Sequence, residues 1–148
     1  MKAVITLSKK FFKGHPKEGE ETGFAEKVLS GNKIHTCRAN YDYWAKKIAR
    51  LKQTNGTLCI RQWSGKPYRS PQITIIDIPA SRIEVQKMTF KPFIFHPELI
   101  VIYVDGKGQI SEEVAANDGL SLKDYQAWFK GYDLNKPMAV IQFTNFKY

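Results

Sequence analysis

The sequence predicts an α+β fold: a small β-barrel or strongly curved mixed sheet decorated by three to four short helices, as a single domain over residues 1–148. Three observations lead there. Apolar runs rich in β-branched residues recur along the chain, each of strand length. Between them lie short stretches whose apolar residues repeat at helical spacing. A length of 148 residues with 43% hydrophobic and 25% charged residues suits one core and an ordinary globular surface.

In chain order, residues 3–7 (AVITL) read as the first strand. Residues 9–21 are rich in lysine, glycine and glutamate, so they read as a polar loop free to move, pinned only at Phe11 and Phe12. Residues 23–30 predict a short helix, because Phe24/Val28 and Ala25/Leu29 are i,i+4 pairs. Thr22 or Gly23 can cap it, and Gly31 falls where a left-handed residue ends a helix. A strand is expected over 34–38. Asn40 then caps a helix over 41–52, with Tyr41, Trp44, Ala45, Ile48 and Leu51 as its apolar stripe and Lys46, Lys47 and Arg50 on the other side.

Asn55-Gly56 is a turn. Residues 57–63 and 72–78 form a hairpin around a turn at 64–67, stopped by Pro79. Residues 82–88 alternate as a strand, and 90–97, aromatic and broken by proline, read as loop or edge. A strongly apolar strand follows at 99–104, then a loop or turn at 105–108. Ser111 is expected to cap a short helix with Glu112 and Glu113 in its first turn, where the helix dipole favours them. Asn117-Asp118-Gly119 ends it. Ser121 and Asp124 make a capping box for a helix running to Lys130, and residues 138–143 form the last strand.

Several classes are excluded at this stage. The early apolar run is too short to span a bilayer and lacks the layout of a secretion signal, so a cytoplasmic protein with no membrane partner is expected. Cys37 and Cys59 stand without metal-ligand spacing and read as small buried residues in a reducing compartment, not a disulfide. His15, His35 and His96 are scattered; neither a metal motif nor a cofactor motif is present.

The charge is lopsided. The net charge is +9, but residues 1–70 hold 15 Lys and Arg against 5 Asp and Glu, while residues 71–148 hold 8 against 9. A field concentrated in one half attracts polyanions and steers them to one side. The stretch 61–69 interleaves Arg61, Trp63, Lys66, Tyr68 and Arg69, pairing groups that hold phosphates with faces that stack on bases. With Lys46, Lys47 and Arg50 on the second helix it outlines a track for RNA, another single-stranded nucleic acid or a nucleotide.

Residues 31–38, GNKIHTCR, place a turn glycine, a lysine, a histidine, a threonine and an arginine at a helix-to-strand junction. Polar side chains this dense are costly to bury and common where ligands bind. Here the chain resembles the ASCH domains of the PUA-like superfamily. The first motif has Gly31, Lys33, Thr36 and Arg38 in the family's order. The second, EEVAANDGLSLKDYQAWF, has Asp118, Gly119, Ser121, Trp128 and Phe129, and MAVIQF follows as a terminal strand.

The resemblance implies a helix-decorated β-barrel with a cleft for RNA or nucleotides, here around Lys33, Thr36, Arg38 and Asp118. It also brings a second reading. Similar proteins are amidohydrolases of N(4)-acetylcytidine with a Lys, Thr and Glu triad, which would fall on Lys33, Thr36 and Asp118, the acid one methylene shorter. Thr36 would be the nucleophile and Lys33, when neutral, its base. Strand geometry sets a condition: residues three apart face opposite ways, so Lys33 must lie in the loop after Gly31 or a bulge must intervene. A module mediating protein contacts is the third reading.

Overall fold

The computed structural model describes residues 1–93, 95–96 and 99–148. The expected loop or edge at 90–97 therefore falls partly outside the described residues, at Ile94 and Pro97. The elements run β1 (Lys2–Leu7), α1 (Phe24–Ser30), β2 (His35–Ala39), α2 (Tyr41–Gln53), β3 (Thr57–Trp63), β4 (Gln72–Pro79), a 3-10 turn (Ala80–Arg82), β5 (Glu84–Pro92), β6 (Ile100–Val104), β7 (Lys107–Gln109), α3 (Ser111–Asn117), α4 (Leu122–Trp128) and β8 (Met138–Gln142).

The fold is α+β, with two sheets. The smaller has the order β1-β3-β4 and the larger β2-β8-β5-β6-β7. Among the described residues the strands close into no barrel. β1 lies parallel to β3, so the chain needs a crossover, and α1, β2 and α2 supply it. β8 sits between β2 and β5, antiparallel to both, and every residue of MAVIQ is buried. An unbroken apolar run is what a strand covered on both faces requires. In β1, Ala3, Ile5 and Leu7 are buried in alternation, as one face on a core dictates.

The free edges of the sheets meet at one point. β1 and β2 are both edge strands, and Arg38 of β2 donates from Nη2 to the Thr6 carbonyl of β1 at 2.8 Å. The two open sheets are joined at this seam through this side chain.

Local signals explain most boundaries. Thr22 Oγ1 accepts the Phe24 N–H at 3.3 Å, and Gly31 closes α1 at φ 81°. Asn40 caps α2, accepting the Tyr43 N–H at 3.1 Å. Ser121 does the same for α4 through Asp124 N–H at 3.2 Å. Other expectations need correction. Ser111 is the first residue of α3, not its cap; Ile110 holds that place without a side-chain bond. The turn at 105–108 continues into β7, because Asp105 and Gly106 take left-handed backbone and fold the chain onto β6. β5 starts at Glu84 and runs through Pro92, since Ala80–Arg82 coils into the 3-10 turn and β6 pairs along the strand to its end. α4 stops at Trp128, short of Lys130.

The loop over 9–21 is docked, not free. Phe11 and His15 are buried. His15 contacts the Asp124 carbonyl through Nε2 at 3.1 Å, and its Nδ1 accepts the Lys17 N–H at 3.0 Å. Lys17 Nζ lies 2.6 Å from Asp124 Oδ2. Phe11, Phe12 and His15 also surround Trp128, with ring centroids 5.8, 5.0 and 6.1 Å away. The pinning expected at Phe11 and Phe12 is present, and His15 joins them around Trp128.

No described helix is long and apolar enough to cross a membrane.

Candidate functional site

The site forms where the seam opens. β1 ends at Leu7, and Trp128 at the end of α4 and Phe129 just after it line the space beside β2. A cavity of about 120 Å³ results, lined by Leu7 and Ser8 from the end of β1, Phe24 of α1, Lys33, Thr36, Cys37 and Arg38, Asp118, and Trp128, Phe129 and Tyr132. All four residues expected to make the cleft, Lys33, Thr36, Arg38 and Asp118, line this one cavity. The geometric condition is met by the loop: Lys33 precedes β2, in the turn after Gly31.

Lys33 and Asp118 form a buried ion pair. Lys33 is 2% exposed and Asp118 4%. Lys33 Nζ donates to Asp118 Oδ1 at 3.0 Å and to the Asp118 backbone carbonyl at 2.6 Å. It also lies 4.3 Å from the centre of the Phe24 ring, whose face favours a cation. The turn at α3's end presents both oxygens of Asp118. Gly119 makes room: it sits at φ +82°, and a Cβ there would meet Lys33 Cβ at 3.2 Å.

His35 extends the pair into a chain. Its Nδ1 is 3.3 Å from Asp118 Oδ1 and its Nε2 2.7 Å from the Tyr148 hydroxyl, which also accepts from Asn117 Nδ2 at 3.0 Å. An ionised carboxylate can only accept, so Nδ1 carries the hydrogen. Burial alone would push the Asp118 carboxyl up, but the Lys33 charge and the His35 hydrogen bond outweigh it and hold it below its ordinary value.

Arg38 behaves differently. One donor goes to the Thr6 carbonyl, and among the described residues no carboxylate pairs with the guanidinium. Burial draws its pKa down. The hydroxyls of Ser8 and Thr36 likewise have no hydrogen-bond partner among the described residues. With Lys33 balanced by Asp118, the cavity has one uncompensated cation and spare donors around it.

His35, Cys37 and Asp118 also present side-chain ligand atoms within 4.8 Å of one another. The Lys33 ammonium, on the same carboxylate oxygen, already stands where a cation would sit. Burial pushes the Cys37 thiol well up, which disfavours the thiolate a metal needs.

The residues expected to form a nucleic-acid track lie outside the cavity, in two groups. Lys46 and Arg50 are exposed on α2, while Lys47 lies on its own helix, bonded to the Tyr43 hydroxyl at 3.0 Å and near the Tyr43 and Trp44 rings. The hairpin group begins next to Ser8, one of the residues that line the cavity. Leu7 is in register with Gln62, and Lys9 Nζ bonds the Ser64 carbonyl at 3.1 Å, so Ser8 runs next to the end of β3. There Trp63 and Tyr68 pack at 5.1 Å, Lys66 and Arg69 are exposed, and Arg61 is half-buried with Nε on Cys59 Sγ at 3.1 Å.

Sequence reasoning missed His35 and Tyr148 as parts of the network and Phe24, Trp128, Phe129 and Tyr132 as walls. The Trp128-Phe129 pair was visible as a motif; the link from His35 to Tyr148 spans 113 positions and had no local signal. The chain matches no protein-family model, no curated protein and no solved structure.

Proposed function

We propose that this chain is a PUA-like, ASCH-type domain that binds RNA or a nucleotide at the Arg38 cavity. The observation that carries the reading is the Arg38 guanidinium, half-buried and without a carboxylate among the described residues. A cation left unpaired in a cavity with free hydroxyls is matched by an anion, and Arg suits phosphate because its fork binds two oxygens at once. The basic N-terminal half supplies the steering field, and the ordered motifs of the ASCH resemblance point the same way.

The test is titration with single-stranded RNA over a range of salt. Affinity is expected to fall steeply with salt, each neutralised phosphate adding about 0.7 to the log–log slope. Arg38→Ala should weaken binding about tenfold or more. Replacing Lys46, Lys47 and Arg50 together should flatten the slope; an unchanged slope places the phosphate contacts on the hairpin instead. Absence of RNA and nucleotide binding at low salt defeats the reading, and the protein-contact module then takes its place.

One observation favours the hydrolase as a second reading: the unpartnered Thr36 hydroxyl shares the cavity with Lys33. Thr36 Oγ would attack the acyl carbon, pass its proton to Lys33, and the nucleobase nitrogen would leave protonated before water freed the acyl group. The ion pair opposes this, since an ammonium held on a carboxylate has no lone pair to offer. Incubation with N(4)-acetylcytidine is expected to release no cytidine. Release that disappears in Thr36→Val would establish the hydrolase.

A further inference from the structure

The cavity is too small for the ligand the charge pattern invites. At ~30 Å³ per water, about 120 Å³ holds roughly four waters, well under the ~300 Å³ at which pockets for whole small molecules begin. A whole nucleotide cannot be enclosed in it, so most of such a ligand would lie outside. A phosphate group can be enclosed, and the chemistry inside suits one: Arg38 as the single uncompensated cation, with the Ser8 and Thr36 hydroxyls as spare donors. Asp118, the one carboxylate in the lining, is already engaged by Lys33 and His35. A phosphate inside a strand has chain leaving on both sides, whereas a terminal phosphate needs only one way out, which a cavity of this size accommodates more easily. It also carries close to two charges at neutral pH.

The mouth supplies the rest. The β3–β4 hairpin is held beside Ser8 through the Lys9–Ser64 contact. On it Tyr68 is 89% exposed, packed against Trp63, with its backbone at φ 63°. A bulky side chain in left-handed backbone is unfavourable, and such residues cluster where ligands bind. The ring offers a face for a base while Lys66 and Arg69 flank it for the following phosphate.

We propose that the protein recognises the phosphorylated end of a single-stranded nucleic acid, with the terminal phosphate on Arg38 in the cavity and the adjoining base on the Trp63–Tyr68 pair. The inference rests on the nucleic-acid reading above and narrows it from a strand to an end. The experiment is fluorescence anisotropy with short oligoribonucleotides of one sequence carrying a 5′-phosphate, a 3′-phosphate or neither, labelled away from the end in question. One phosphorylated form is expected to bind about tenfold tighter or more than the unphosphorylated form. That preference should vanish in Arg38→Gln, while Tyr68→Ala weakens all three forms. If Arg38→Gln does not fold, competition by inorganic phosphate on the wild type takes its place: it should weaken the phosphorylated form's binding more than the unphosphorylated form's, and equal weakening overturns the assignment. Equal affinity for all three forms overturns end recognition and leaves RNA binding standing. Failure of every form to bind overturns both.

Discussion

Asp118→Asn is expected to lower the free energy of unfolding by about 3 kcal/mol, because removing one partner strands the other charge in the interior. From the sequence alone, exchanging Asp118 for asparagine is expected to spare folding whether Asp118 shapes the turn or faces Lys33 across the cleft. The structure reverses that expectation: both partners are nearly inaccessible, and Lys33 Nζ is held by Asp118 Oδ1, the Asp118 carbonyl and the Phe24 face. At roughly 3 °C per kcal/mol for a domain of this size, the melting temperature should fall by about 10 °C. Lys33→Met should cost as much, leaving Asp118 with only His35. The double variant is the informative one. Replacing both members of a buried pair is often close to neutral, so it should be more stable than either single variant. Additive losses in chemical denaturation would show that the two side chains act separately.

The same pair fixes an acid limb. Asp118 has its native pKa depressed, so its contribution is complete above the unfolded value of about 3.9 and is lost as pH falls through the lower native value. Asp124 behaves alike: burial raises its pKa, but the Lys17 hydrogen bond prevails and leaves it lowered. Stability should therefore drop below about pH 4, and in Asp118→Asn that drop should shrink.

What the sequence made legible was local. Strands such as β3 and helices such as α2 follow from alternation, stripes and caps within a few residues. The site's chain segments were legible too, since GNKIHTCR places Lys33, Thr36 and Arg38 within six positions and the turn before Gly119 marks Asp118. The partners were not. Only the family resemblance set Asp118 beside Lys33 from 85 positions away, and nothing near Arg38 says that no carboxylate among the described residues pairs with it. For residues 9–21, Phe11 and Phe12 marked the point of attachment, but nothing local said that they and His15 meet Trp128. Patterns of period two or 3.6 report which face is buried; they carry no information on which distant group meets it. Whether the strands close into a barrel was not legible for the same reason, as it depends on whether β1 and β2 pair along their edges, and among the described residues they do not.

His35→Ala is the last large effect expected. The imidazole is fully buried and bridges two elements of the site, giving a hydrogen to Asp118 and meeting the Tyr148 hydroxyl on its other nitrogen. Deleting it removes a hydrogen bond to a charged acceptor, worth about 1.5–3 kcal/mol, and leaves a cavity where β2 packs. A loss of about 3 kcal/mol should follow. Tyr148→Phe separates the two halves of that figure. It keeps the ring, which lies 5.6 Å from that of His35, but removes the hydroxyl, leaving Nε2 and the Asn117 amide without their partner. Its cost should be about 1–2 kcal/mol. The network also predicts coupling: once Asp118 is asparagine, His35→Ala should cost less than in the wild type, because the charged acceptor has gone. Denaturant midpoints for the two single variants and the pair measure this directly. If His35→Ala costs the same in both backgrounds, the imidazole is merely filling space between β2 and Tyr148, and Asp118 is held in place by Lys33 alone.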